Sequence, residues 1–222
     1  MSTEPKVRLP KQLRGQRTRD RILDAAENLL HGKSFGEITV ADLVEEASAS
    51  IGSFYHLFAT KEALLAPLYA RYDAEITAGS ERVLDLARWE GRSLHYRATR
   101  VIRYTVKLYR QKQGLMQTLV LHARSHSDEV TLEQQTHRAS LYDRVTELLL
   151  ERDDEITHPD PESAIRLGLF FVGATCRDRI LFSQAPHPRS VQLDDRGLAR
   201  ELSDAFLSYL QFPRSRKETP RV

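Results

Sequence analysis

The sequence predicts an all-α protein: an N-terminal three-helix helix-turn-helix domain joined by a long helix to a C-terminal helical bundle. Three observations predict it. Apolar residues recur at helical period along the chain, with no convincing strand alternation between them. Three short helical stretches crowd into the N-terminal part, the last two joined by a tight turn. Farther on, loop signals such as HPDP at 158–161 and APHP at 185–188 set off longer helices.

The first helix carries Ile22, Ala26, Leu29 and Leu30 on one face and ends near Gly32. Thr39 starts the second. Its hydroxyl can accept from first-turn N–H groups, and Asp42 adds a favourable charge near the positive end of the helix dipole. Val40, Leu43, Val44 and Ala47 form that helix's stripe, and the small residues Ala47 to Ser50 break it. Thr60 caps again, with Glu62 in the first turn, and launches a long helix through KEALLAPLYARYDAEI. Later helices are expected at roughly 92–112 (ended by Gly114), 115–125, 128–152, 161–183 and 195–211. Asp160-Pro161-Glu162 is the strongest start, with a cap, a proline at the first helical position and an acid. The expected division is 1–62 for a basic arm and DNA-binding domain, 63–212 for a ligand-binding and dimerisation domain, and 213–222 for a disordered tail.

Composition narrows the function classes. Charged residues make up 29% and hydrophobic ones 41% of 222 residues, as in globular proteins. The formal charge is only +2, but it is unevenly spread. Between Lys6 and Arg21 seven bases face Asp20 alone, so this arm carries +6 and the rest about −4. A basic end on an acidic body points to a polyanion partner. Cys176 is the single cysteine, which fits a reducing compartment. The start MSTEPKVRLPKQ has no apolar leader, and the apolar run LGLFFVGATC is about half a membrane span. A cytoplasmic protein without membrane contact is therefore expected.

The stretch SIGSFYHLF, Ser50 to Phe58, is weak as a helix, because Gly costs about 1 kcal/mol there and Ser is mediocre. In a helix-turn-helix unit the second helix enters the major groove, and small residues at its start let the backbone approach phosphates. Phe54 and Phe58, at i and i+4, would pin its opposite face to the neighbouring helices. The longer segment ITVADLVEEASASIGSFYHLFATKEALL, Ile38 to Leu65, resembles the tetracycline-repressor (TetR) family of bacterial transcriptional regulators. Thr39, Gly52, Tyr55, Phe58, Lys61, Glu62, Leu64 and Leu65 stand where the family pattern needs them. The resemblance implies that Thr39, Ser50, Ile51, Gly52, Ser53, Tyr55, His56 and Lys61 lie at or near DNA. Within that set, Ser50, Ile51 and Ser53 are expected at bases, and Thr39, Tyr55 and Lys61 at phosphates. Three departures stand out: Ser48-Ala49 replaces a frequent Gly-Val at the turn, Leu57 replaces a frequent phosphate-binding His, and Ile51 cannot make a bidentate contact with a base.

The resemblance further implies a one-component regulator, a repressor in its simplest form, released from a palindromic operator by a small-molecule effector. One short helix reads little DNA, so a homodimer is expected. Its interface is expected on the last two helices, with Ala164, Leu167, Gly168, Phe171 and Ala174 facing Leu198, Leu202, Ala205, Phe206 and Tyr209. The expected pocket combines polar Tyr96, Arg100, Tyr104, His122, Arg124, His137 and Tyr142 with the aromatic walls Trp89 and Phe170. No cofactor, metal site or catalytic residue is expected. His122 and His126 share a helix face near Asp128 but lack a further well-placed ligand, and no phosphate loop or nucleophile elbow appears. A helical enzyme or carrier with a vestigial motif, and an activator working without ligand, remain the alternatives.

Overall fold

The structure is a computed structural model that describes residues 11–84, 88–125, 132–182 and 193–210, without the side chains of 11–12, 81–82 and 132–138. Among the described residues nine α-helices follow one another and no strand occurs. They are α1 Lys11–Leu29, α2 Val40–Glu46, α3 Ile51–Leu57, α4 Leu65–Val83, α5 Leu94–Gln111, α6 Gln113–Ser125, α7 Leu132–Leu150, α8 Pro161–Cys176 and α9 Asp195–Tyr209. A 3₁₀ turn, Glu62–Leu64, precedes α4, and a π-helical turn, Arg177–Leu181, prolongs α8. Each expected helix is present. The first begins earlier than its apolar stripe, so Arg14, Arg17, Arg19 and Arg21 ride on α1 itself.

The chain forms two compact units. The first comprises residues 1–76 and 114–122, and the second 77–113 and 123–222. The first unit thus reaches past the boundary expected at 62 and takes in part of α6. Its core is Ile22, Leu23 and Ala26 of α1, Leu30 just beyond it, Leu43 of α2, Phe54 of α3 and Leu64 and Leu68, with Leu115 and Leu119 packed among them. Arg71 of α4 fastens to α1 by ion pairs to Asp24 at 2.6 Å and Asp20 at 3.2 Å.

Local chemistry sets the bends. Thr39 and Asp42 complete a reciprocal capping box at the start of α2, as S/T-x-x-acid spacing allows. Three hydrogen bonds centre on this pair, and the Thr39 hydroxyl with the Thr39 N–H holds the Asp42 carboxyl down at about 2. At the other end the Ser48 N–H donates to the Glu45 carbonyl and the Ala49 N–H to the Val44 carbonyl, which is a Schellman motif. That motif needs a left-handed residue. Ser48 supplies it with φ 47°, the single non-glycine residue with positive φ among the described residues. A side chain in this region costs about 1–2 kcal/mol. Ser48→Gly is therefore expected to stabilise the first unit by about 1 kcal/mol, less what the freer unfolded chain takes back. A melting temperature that falls would show that the serine is not strained.

In the second unit α5 packs along α9, and α7 and α8 pack on each other. The inner face of α5 is Leu94, Arg97, Ala98, Val101, Ile102 and Val106. Arg97 is the anomaly, an arginine only 3% exposed. Its guanidinium donates to the carbonyls of Trp89 (2.8 Å), Arg92 (3.1 Å) and Leu148 (2.7 Å) and to the Glu151 carboxylate (2.6 Å). One side chain thereby ties the 88–92 turn to the end of α7. Cys176 is packed, and burial, with the Asp195 charge adding to it, pushes its thiol up to about 12. No helix is long and apolar enough to cross a membrane among the described residues.

Candidate nucleic-acid interface and ligand cleft

Ser50 caps α3. Its Oγ accepts from the Ser53 N–H at 3.1 Å and lies 2.9 Å from the Ser53 hydroxyl. The helix then divides sharply by face. Phe54 is completely buried and Phe58 nearly so, with ring centroids 5.5 Å apart. Opposite them, Ile51 is 54% and Tyr55 55% exposed, among the most exposed large apolar side chains described. Gly52 and His56 lie on the same open side, with Ser53 half-buried beside them. A Cβ built on Gly52 meets nothing nearer than the Ser50 hydroxyl at 3.9 Å. The glycine is therefore not required by packing inside the unit. An exposed Ile beside an exposed Tyr, on a helix whose back is anchored by two phenylalanines, is a surface shaped for something outside the chain.

Two expected contacts look different in the fold. The Thr39 hydroxyl both accepts from the Asp42 N–H and donates to its carboxylate, so it is already engaged in the cap. Lys61 is half-buried, and its ammonium donates to the carbonyls of Phe35 at 2.8 Å and Ile38 at 2.9 Å. The same ammonium stands 4.7 Å from the centroid of the Phe35 ring. Lys61 therefore braces the loop that leads into α2, and a free ammonium for a phosphate is not what this geometry offers. The resemblance placed Lys61 at a phosphate, and its carbonyl seat, more than twenty residues away in sequence, gave no local sign of this role.

A cleft of about 650 Å³ opens in the second unit. Four of the expected pocket residues line it: Trp89, Tyr96, Arg100 and Tyr104. The Trp89 indole N–H donates to the Val83 carbonyl at 2.7 Å, and its ring meets Tyr96 edge-on at 6.1 Å. The other expected residues lie elsewhere. His122 belongs to the first unit, Arg124 stands over the Phe182 ring at 5.8 Å, and Tyr142 has its hydroxyl near Gly173. The side chain of His137, like His126 and Asp128, lies outside the described residues. Phe170 is 55% exposed on α8 beside Phe171 and walls no part of the cleft. Arg103, Lys107 and Arg196 also line the cleft but escaped the sequence reading, which takes exposed basic residues on a helix as solvated.

The expected interface stripe splits in two. Ala164, Gly168, Leu198 and Phe206 are buried within the chain. A Cβ on Gly168 would stand 2.6 Å from the Phe206 ring, so these small residues serve the packing of α8 on α9. Leu167, Phe171 and Ala205 are exposed, while Ala174, Leu202 and Tyr209 are half-buried. Helical period marks an apolar face; it does not say whether the chain itself or a second copy covers it.

These features define a helix-turn-helix DNA-binding domain. Residues 22–68 match the tetR family of bacterial regulatory proteins, so this segment is a DNA-binding domain of that family. Solved structures share the fold over most of its length. A tetR-family regulator from Mesorhizobium loti is 17% identical, with a TM-score of 0.60 over 88% of this chain and 97% of that one. One from Agrobacterium tumefaciens is 17% identical, with a TM-score of 0.61 over 86% and 98%. The fatty acid degradation regulator of Bacillus halodurans is 15% identical, with a TM-score of 0.62 over 88% and 97%. Among curated proteins none matches the chain.

Proposed function

We propose that this chain is a one-component repressor which binds a palindromic operator as a homodimer and leaves it when a small molecule occupies the second unit. The observation that carries the reading is the two-faced α3, with Phe54 and Phe58 inside and Ile51, Gly52, Tyr55 and His56 outside. Ile51 suits an apolar contact with a thymine methyl, Ser53 a base edge and the Tyr55 hydroxyl a phosphate. The basic residues on α1 add sequence-independent attraction. DNA reading is assigned to the N-terminal domain, and ligand binding and dimerisation to the C-terminal one. Exposed Leu167, Phe170 and Phe171 on α8 supply an apolar face for a second copy. Because α4 and α6 each run from one unit into the other, a ligand-dependent shift of either helix would re-space the reading heads.

The test is selection of binding sites from random genomic fragments, followed by titration over a range of salt. A palindrome should be enriched, and the association constant should fall with a log–log slope of about −0.9 per phosphate neutralised. Tyr55→Phe should weaken all sites alike, since a phosphate contact carries no sequence information. No enriched sequence, or a protein that sediments as a monomer at every concentration, would contradict the reading.

A further inference from the structure

The cleft of the second unit has an unusual charge. Among the described residues six cationic side chains, Arg88, Arg100, Arg103, Lys107, Arg110 and Arg196, line it against the one carboxylate of Asp195. Arg110 is answered: its guanidinium takes that carboxylate through Nε and Nη2, at 2.8 to 3.2 Å. Four others are not. Among the described residues Arg100, Arg103, Lys107 and Arg196 have neither an acidic nor a hydrogen-bonding partner.

The arrangement is also linear. Arg100, Arg103 and Lys107 follow at i, i+3 and i+7 on one face of α5, so like charges repel along the row. From the first to the third the helix rises about 10 Å. A single carboxylate cannot span that distance, but a chain of phosphates can reach along it, and arginine forks match phosphate oxygens. Trp89, Tyr96 and Tyr104 place aromatic surface in the same cleft. A ring at one end of the ligand would rest there.

We propose that this cleft binds a small organic polyanion, a linear phosphate chain attached to a flat ring, with Arg100, Arg103, Lys107 and Arg196 neutralising the chain. The inference deepens the effector reading and rests on it only for regulation, not for binding.

Trp89 is the only tryptophan of the chain, so its fluorescence reports this cleft alone. Full-length protein is titrated with ATP, tripolyphosphate and citrate by calorimetry, with Trp89 emission followed in parallel. ATP should bind tightest, tripolyphosphate next, and the compact citrate at least about tenfold more weakly than ATP, a difference of one decade in Kd. Arg100→Gln with Lys107→Gln should weaken ATP by about a hundredfold and leave the fold intact, since both side chains are exposed. Arg200→Gln, at an exposed arginine of α9 outside the cleft, should change nothing. Absence of an ATP response at millimolar concentration, equal binding of citrate and ATP, or an unaltered Kd in the double variant would each overturn the proposal. Operator affinity measured with and without ATP separates the two readings. Tight ATP binding with unchanged operator affinity would sink release by this ligand and leave the cleft assignment standing.

Discussion

Gly114→Ala is expected to cost about 3 kcal/mol and to loosen the DNA-reading unit first. A Cβ built at this position would overlap the Leu30 carbonyl oxygen and stand 2.7 Å from its carbon. Both are backbone atoms near the end of α1, where no side chain can swing aside. The first turn of α6 must then back away from α1. Leu115 and Leu119, which sit in the core with Leu30 and Phe54, would be drawn out with it. Urea unfolding measures the loss, and a change below about 1 kcal/mol, within the range of an ordinary surface substitution, would mean that the close approach is dispensable. In sequence this glycine reads as a helix end. Its role is instead to let two backbones meet, which no local pattern can announce because Leu30 lies more than eighty residues away.

Arg97→Met is expected to cost a similar amount, about 3 kcal/mol, at the low end of what breaking a buried charge network takes. The abandoned Glu151 is 43% exposed in its side chain and can be rehydrated. The Leu148 carbonyl cannot, and it loses its donor in a buried setting, while the Trp89 carbonyl keeps only the Arg92 N–H. The 88–92 turn should loosen as well, so the emission of Trp89 should shift to the red along with the lower melting temperature. Unchanged emission and stability would show that methionine packing replaces the network. Here the sequence did hold a signal. Leu94, Arg97, Ala98, Val101 and Ile102 fall at i, i+3, i+4, i+7 and i+8, so an arginine stands on an apolar face and must be buried with partners.

The elements whose causes are local were legible from sequence alone. The Thr39–Asp42 cap, the Phe54–Phe58 anchor and the Asp160-Pro161 start all depend on neighbours within four residues. What escaped depends on distant partners. Lys61 turns inward because the Phe35–Ile38 loop offers it carbonyls, and Gly168 is small because Phe206 lies on it. The turn at Ser48-Ala49 lies between these cases. Its departure from Gly-Val is visible in sequence, yet only the backbone shows that Ser48 keeps the left-handed conformation glycine would favour.

The most direct test of DNA reading by α3 is the affinity of Gly52→Leu for the selected operator, compared with that of the wild-type protein. Among the described residues nothing crowds a Cβ at Gly52, the position is exposed, and leucine is the better helix former by about 1 kcal/mol, so the variant should fold and melt at or above the wild-type temperature. Its side chain would project from the face that must approach the major groove. A folded dimer is expected whose operator affinity falls by at least about a hundredfold, some 2.7 kcal/mol. A folded variant that binds the operator as tightly as the wild type would contradict the assignment of α3 as the reading surface.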